Sequence, residues 1–190
     1  MALLTGPCLH VGGWECVCGD ARIDCCGASL RVTGTSDPMV LRSALTLKGL
    51  VHVPSGSIMA AATTSLPEEL GGVRNWDYRY CWLRDAAMTA AALVSLGSFD
   101  EAEGFLAWLH GVLATVQGPE RLHPLYTLHG TQLGAEAVID TLPGYAGSRP
   151  VRVGNLANQQ VQLDVLAEPQ GNGHHRFGTV ALITVVHGHR

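Results

Sequence analysis

Gly71-Gly72-Val73-Arg74-Asn75-Trp76-Asp77-Tyr78-Arg79-Tyr80-Cys81-Trp82-Leu83-Arg84-Asp85 is unlike the rest of the chain. Its fifteen residues hold two Trp, two Tyr, three Arg and two Asp. A helix buried in a core would not tolerate so many polar groups. A plain surface would not carry four large aromatics, whose burial in a pocket is worth ~1.5–3 kcal/mol each. Flat rings stack on the apolar faces of a pyranose, and Arg and carboxylate groups grip pairs of hydroxyls, so the composition suits a sugar site. It equally suits an Arg–Asp network that pins a loop to the core. Asp85 heads a helix, where the N-terminal dipole favours a carboxylate.

Around this segment the pattern is helical. Residues 85–96 are Ala-rich and precede Gly97, which predicts a buried helix with a glycine cap. Ser98-Phe99-Asp100-Glu101 reads as a capping box that opens a second helix, with Ala102, Phe105, Leu106, Leu109, Val112 and Leu113 along one face. Asn155 is placed to cap a third, with Leu156, Leu163 and Ala167 spaced by whole turns. Upstream, residues 39–50 set Leu41, Ala44, Leu45 and Lys48 at helical intervals before Val53-Pro54-Ser55-Gly56 breaks the pattern. Residues 58–64 read as a strand or extended loop, and Glu68 after Ser65 reads as a helix cap. Helices joined by long, polar, Gly/Pro-containing loops point to a mainly α domain whose loops carry the chemistry.

Composition narrows the function classes. The 190 residues are 47% hydrophobic and 15% charged, with a net charge of −4, so the chain as a whole is no disordered polymer. Eleven Arg and one Lys form no run, which excludes a typical nucleic-acid binder. The longest apolar stretch has 14 residues (86–99), too few to span a membrane. Residues 1–7 lack the basic region and apolar run of a signal peptide, and the expectation is a soluble cytoplasmic protein.

Five of six cysteines lie in residues 1–26, but Cys16-x-Cys18 and Cys25-Cys26 are spaced too tightly for a structural zinc site. Residues 1–37 are expected to be a poorly ordered Cys/Gly-rich leader. Residues 169–190 are expected to be a divergent tail, in which His174, His175, His187 and His189 are the only candidate metal ligands. No metal or cofactor is expected.

Asn75-Trp76-Asp77-Tyr78-Arg79-Tyr80-Cys81-Trp82-Leu83-Arg84-Asp85 resembles the signature loop of glycoside hydrolase family 15, the glucoamylase and bacterial trehalase family. Two flanking stretches agree. Residues 42–48 and 61–68 are similar to the family's first barrel helix and following loop. Residues 144–155, with Gln160 and Gln162-Leu163-Asp164, resemble its second substrate-loop motif. The resemblance covers about residues 40–168 and is nearest the trehalase-like branch found in actinobacteria. It implies an all-α fold, the (α/α)6 toroid of twelve helices, with the active site at one mouth. It implies that Arg84 and Asp85 bind sugar hydroxyls in the subsite before the scissile bond, that Tyr78 faces the oxocarbenium-like centre and that Trp82 lines that subsite. Arg149, in the second motif, is implied to bind substrate or brace the first loop. The implied partner is a small-molecule or oligosaccharide α-glucoside.

The sequence also departs from the family. Its members invert, with a catalytic acid and a base roughly 6.5–9.5 Å apart. In the family both follow the region matched here, and Trp14-Glu15 lies upstream of it. No catalytic residue is therefore assigned. Twelve helices of ~11 residues with loops of ~5 need on the order of 190 residues. The family-like region supplies about 130, so the toroid is expected to be incomplete, from a truncated or frame-shifted reading. Its open helix faces would favour self-association. The readings carried forward are an α-glucoside hydrolase or a partial chain of one, a non-catalytic sugar-binding or interaction protein, and a metal-binding protein using the terminal Cys and His clusters.

Overall fold

Asp37 opens the first helix, α1 (Pro38–Gly49), by accepting the Met39 N–H on its side chain at 2.8 Å, and Pro38 follows at the position where a missing N–H does no harm. The computed structural model describes residues 10–11, 14–15, 37–117, 121–160 and 162, the first four by backbone alone. Those four form a short antiparallel pair, β1 (His10–Val11) with β2 (Trp14–Glu15). The expectations for the rest of residues 1–36, and for the tail and its histidines, lie outside the described residues.

The core is built on α2 (Leu83–Ser95) and α3 (Asp100–Thr115). Ala86, Ala87, Ala90 and Ala91 line the buried side of α2, and their small side chains let α3 approach with Phe105 and Leu109 wholly buried. The helix ends as its sequence predicts. Gly97, at φ +86°, sends its N–H to Val94 O, and the Ser98 N–H reaches Leu93 O, which is the Schellman closure. At the start of α3 the expected capping box takes another form. The Ser98 hydroxyl donates to Glu101 Oε2 at 2.9 Å, and the other oxygen of Glu101 accepts from Lys48 in the last turn of α1. Leu113, expected on the buried face, is exposed, whereas Trp108 is buried and donates its indole N–H to Leu128 O at 3.0 Å.

Short antiparallel pairs stitch the loops to these helices. They are β3 (Thr64–Pro67) with β4 (Asn75–Asp77), β5 (Cys81–Trp82) with β6 (Leu125–Tyr126), and β7 (Ala137–Val138) with β8 (Arg152–Val153). The described residues thus combine three α-helices with short strands, and residues 58–63 form a bent segment that bridges Val51 at Ile58 and bonds to the Tyr78 and Tyr80 backbone. Asn155 does cap a helix, accepting the Ala157 N–H at 3.0 Å, but this is a 3-10 turn (Leu156–Gln159). No helix among the described residues is long and apolar enough to cross a membrane.

Candidate functional site

Residues 75–85 run as strand β4, a turn, strand β5 and the first turn of α2. The helix begins at Leu83, two residues earlier than expected, because Trp82 is held in the β5–β6 pair and the Leu83 N–H is taken by Pro124 O at 3.0 Å. Arg84 and Asp85 therefore stand on the first turn, immediately after the Trp82 strand.

Two kinds of polar residue separate in this loop. Asp77 is wholly buried, and its carboxylate takes the Arg79 fork bidentately, Nε on Oδ1 at 2.9 Å and Nη2 on Oδ2 at 2.8 Å. The Arg79 and Gly154 backbone N–H groups add one bond each at 3.2 Å. The hydrogen bond to Asp77 is the main cause raising the Arg79 pKa further. Arg84 and Asp85 behave differently. Their side chains are 40% and 42% exposed and only 3.7 Å apart at the nearest atoms. The Asp85 carboxylate, 42% exposed, keeps acceptor positions open to a ligand.

Tyr78 is half-buried between these two sets. Burial raises its phenol pKa, Glu68 and Asp85 push the same way, and Arg74 opposes them. The Tyr80 phenol is also raised, by burial and then by Asp77. Trp82 is partly buried, and its indole N–H is buried with no partner among the described residues.

The second motif lies along the first. The Gly71 N–H donates to Ser148 Oγ at 2.9 Å, Asn75 Nδ2 to Pro150 O at 3.3 Å, and the Arg152 N–H to Ser65 Oγ at 2.7 Å. Thr64 Oγ1 also donates to Arg152 O at 2.7 Å, and Asn155 Nδ2 to Asp77 O at 3.1 Å. Gly154, at φ +88°, lets the chain after β8 pass close to the 135–136 backbone, since a Cβ there would sit 3.0 Å from Glu136 Cα. Bracing is thus done by these backbone and small polar groups. Arg149, by contrast, is exposed and makes no ion pair among the described residues.

Arg152 and Glu136, which sequence reasoning did not pick for the site, and Glu68, which it read as a helix cap, complete the frame. The Arg152 guanidinium lies 5.1 Å from the centroid of the Trp76 ring and pairs with Glu136 Oε1 at 2.6 Å. Glu136, its side chain 5% exposed, also takes the Leu156 N–H at 3.2 Å. Glu68 caps no helix; it pairs with Arg74 at 3.0 Å and accepts the Trp76 indole N–H at 3.2 Å. A cavity of about 480 Å³ beyond the end of α3, lined in part by Thr115, Arg121, Tyr126 and Thr131, involves none of the site residues. No group of three or more His, Cys, Asp or Glu among the described residues is arranged to hold a metal.

The family model of the glycosyl hydrolases family 15 matches residues 34–170, most of the chain and both loop motifs. The chain belongs to glycosyl hydrolase family 15. Among curated family 15 relatives, it is 49% identical to "Trehalase 1" of Sulfolobus acidocaldarius over 119 residues, covering 63% of this chain and 21% of that protein. It is 42% identical to a trehalase of Thermoplasma acidophilum over 132 residues, 70% of this chain and 22% of that protein. A trehalase of Mycobacterium tuberculosis is 46% identical over 127 residues, 65% and 18% of the two chains. The chain spans about a fifth of the length of these relatives. No solved structure matches it. As a family 15 chain, it carries within the matched region every residue picked from the sequence: Tyr78, Trp82, Arg84, Asp85 and Arg149.

Proposed function

We propose that this chain provides the sugar-holding part of a cytoplasmic, trehalose-hydrolysing family 15 glycosidase that acts with inversion. Its three helices would belong to an (α/α)6 toroid. The observation that carries the reading is the division of the loop's carboxylates: Asp77 is buried and held by Arg79, whereas Asp85 is 42% exposed on the first turn of α2, three residues after Trp82 in the chain. In this reading Arg84 and Asp85 hold adjacent hydroxyls and the Trp82 ring covers the apolar face of the sugar. Tyr78 faces the centre where positive charge develops, and the exposed Arg149 reaches the sugar from the second motif.

A second reading, binding without turnover by this chain alone, is favoured by the state of the carboxylates. The Asp77 and Glu136 side chains are buried and each held by an Arg within 2.8 Å, and Glu68 is tied to Arg74 and the Trp76 indole, whereas Asp85, 3.7 Å from Arg84, is the exposed acid of the signature loop. Inverting hydrolysis needs two carboxyl groups on opposite faces of the bond, and losing either proton transfer costs typically ~10²–10⁴-fold in rate.

Both readings are tested by titrating the purified chain with trehalose and maltose while glucose release is followed for hours. Saturable binding without release is expected, weakened about 10- to 100-fold by Asp85→Ala through loss of a charge-assisted contact. Binding unchanged by both Arg84→Ala and Asp85→Ala would overturn the assignment. Glucose release abolished by Asp85→Ala alone would make Asp85 a catalytic carboxylate.

A further inference from the structure

Asp77 has the most heavily used carboxylate of the loop and, being wholly buried, cannot touch a sugar. Oδ1 accepts the Arg79 backbone N–H and Nε, and Oδ2 accepts Arg79 Nη2 and the Gly154 N–H. Four donors fill the four acceptor positions of a carboxylate. The backbone of the same residue accepts Asn155 Nδ2 at 3.1 Å. Tyr78 lies between Asp77 and Arg79 in sequence, so the bidentate ring closes around it and fixes its backbone. The two bonds to residues 154–155 tie that turn to the second motif.

We propose that Asp77 is a positioning residue for α-glucoside binding: it clamps the Tyr78 turn through Arg79 and couples that turn to the second loop at Gly154 and Asn155. The inference rests on the reading of this loop as a sugar site. Side chains on loops keep a productive geometry only where a supporting shell locks them. A misplacement of about 1 Å is enough to lose ~100-fold in function. Asp77→Asn preserves the shape but turns one acceptor oxygen into a donor. Whichever way the amide is turned, two of the four donors then face an NH2 group.

The test uses the full chain as wild type, Asp77→Asn and Arg79→Lys. Each is followed by amide hydrogen exchange and by trehalose titration, at a temperature where circular dichroism shows it folded. In Asp77→Asn, exchange is expected to rise at least tenfold in residues 77–82 and 152–156 while α2 and α3 keep their protection, and trehalose affinity is expected to fall about tenfold. Arg79→Lys keeps the charge without the fork, so it should show the same pattern at smaller amplitude, and it decides the matter if Asp77→Asn does not fold. Unchanged exchange in both segments overturns the coupling. Raised exchange with unchanged affinity reduces Asp77 to a brace of the fold and overturns the positioning role. A wild-type chain that binds neither trehalose nor maltose overturns the sugar-site reading instead, and exchange alone then decides the coupling.

Discussion

Gly56 and Gly71 have nearly the same backbone, at φ +79° and +80°, but different surroundings, so alanine at each position separates backbone strain from crowding. Either substitution forces an L side chain into the left-handed region at a cost of ~1 kcal/mol. At Gly71 nothing lies within 4 Å of the new Cβ, so the cost stops there. At Gly56 the Cβ would sit 2.3 Å from the carbonyl oxygen of Gly104, where ordinary contact begins at 3.4 Å, so turn and helix must part by about 1 Å. The turn cannot simply rotate away. The Gly56 and Ser55 N–H groups are bonded to His52 O at 2.8 and 3.1 Å, and the His52 N–H to Ser57 O at 2.8 Å. Gly104 in turn precedes Phe105, which is wholly buried. A gap of that size forfeits a quarter to a half of each dispersion contact it opens, and overpacking of this kind costs ~1–3 kcal/mol. The expected loss is therefore about 2–4 kcal/mol for Gly56→Ala against about 1 for Gly71→Ala. Against a whole-domain stability of ~5–15 kcal/mol the difference is readily measured. Urea unfolding followed by tryptophan fluorescence gives both values. Losses within 0.5 kcal/mol of each other would refute the claimed contact between the 52–57 turn and α3.

Other outcomes follow from the ion pairs and the buried thiol. Burial alone would raise the Glu101 pKa, but hydrogen bonds from Lys48 and Ser98 outweigh it and hold the carboxyl below its usual value. Its contribution is then present above the unfolded pKa and lost as pH falls through the lower folded one. The difference in melting temperature between wild type and Glu101→Gln should shrink from pH 6 to pH 3, and a constant difference would contradict this. Glu136→Gln should destabilise by about 2 kcal/mol, less than the ~3–5 of a fully buried broken pair because Arg152 keeps some solvent and the Trp76 ring. A loss below 0.5 kcal/mol in chemical denaturation would count against that pair. Burial pushes the Cys81 thiol up to about 12, so its peptide should resist alkylation at pH 8 until denaturant is added. Labelling in the native state at the rate of a free thiol would show that the β5–β6 pair opens.

What the sequence made legible was local. The Ala run and Gly97 mark α2 and its end because both signals act within a turn of the residues they control. Pro38 and Asp37 mark the start of α1 in the same way, although the periodic pattern alone placed it one residue late. The start of α2 was misplaced because no side chain caps it; the decisive partner is Pro124 O, far along the chain. Trp108 was passed over as a core residue for a related reason, since its N–H finds Leu128 O twenty residues away. Glu136 carried no sequence signal at all. It acquires a role only when Arg152 is brought back over Trp76 and the Arg152 N–H meets Ser65, 87 residues earlier.

Asp77 is the instructive case within the site, because its signal was local and visible. An Asp two residues before an Arg can close a bidentate ring around the residue between them, and it does. Composition left two alternatives for this loop, a sugar site or an Arg–Asp network pinning it to the core. The two descriptions fall on different residues. Asp77 and Arg79 form the network; the two arginines, Arg79 and Arg84, are 44% and 40% exposed, and it is the carboxylates that differ, Asp77 at 0% and Asp85, eight residues on, at 42%. The second arrangement has its own support. A half-exposed, loosely paired Arg and Asp would collapse onto each other or swing into solvent on an unsupported loop, because holding long side chains in one geometry costs rotamer entropy. The first turn of α2, tied down by the Leu83 N–H on Pro124 O, removes the backbone part of that freedom before any ligand arrives.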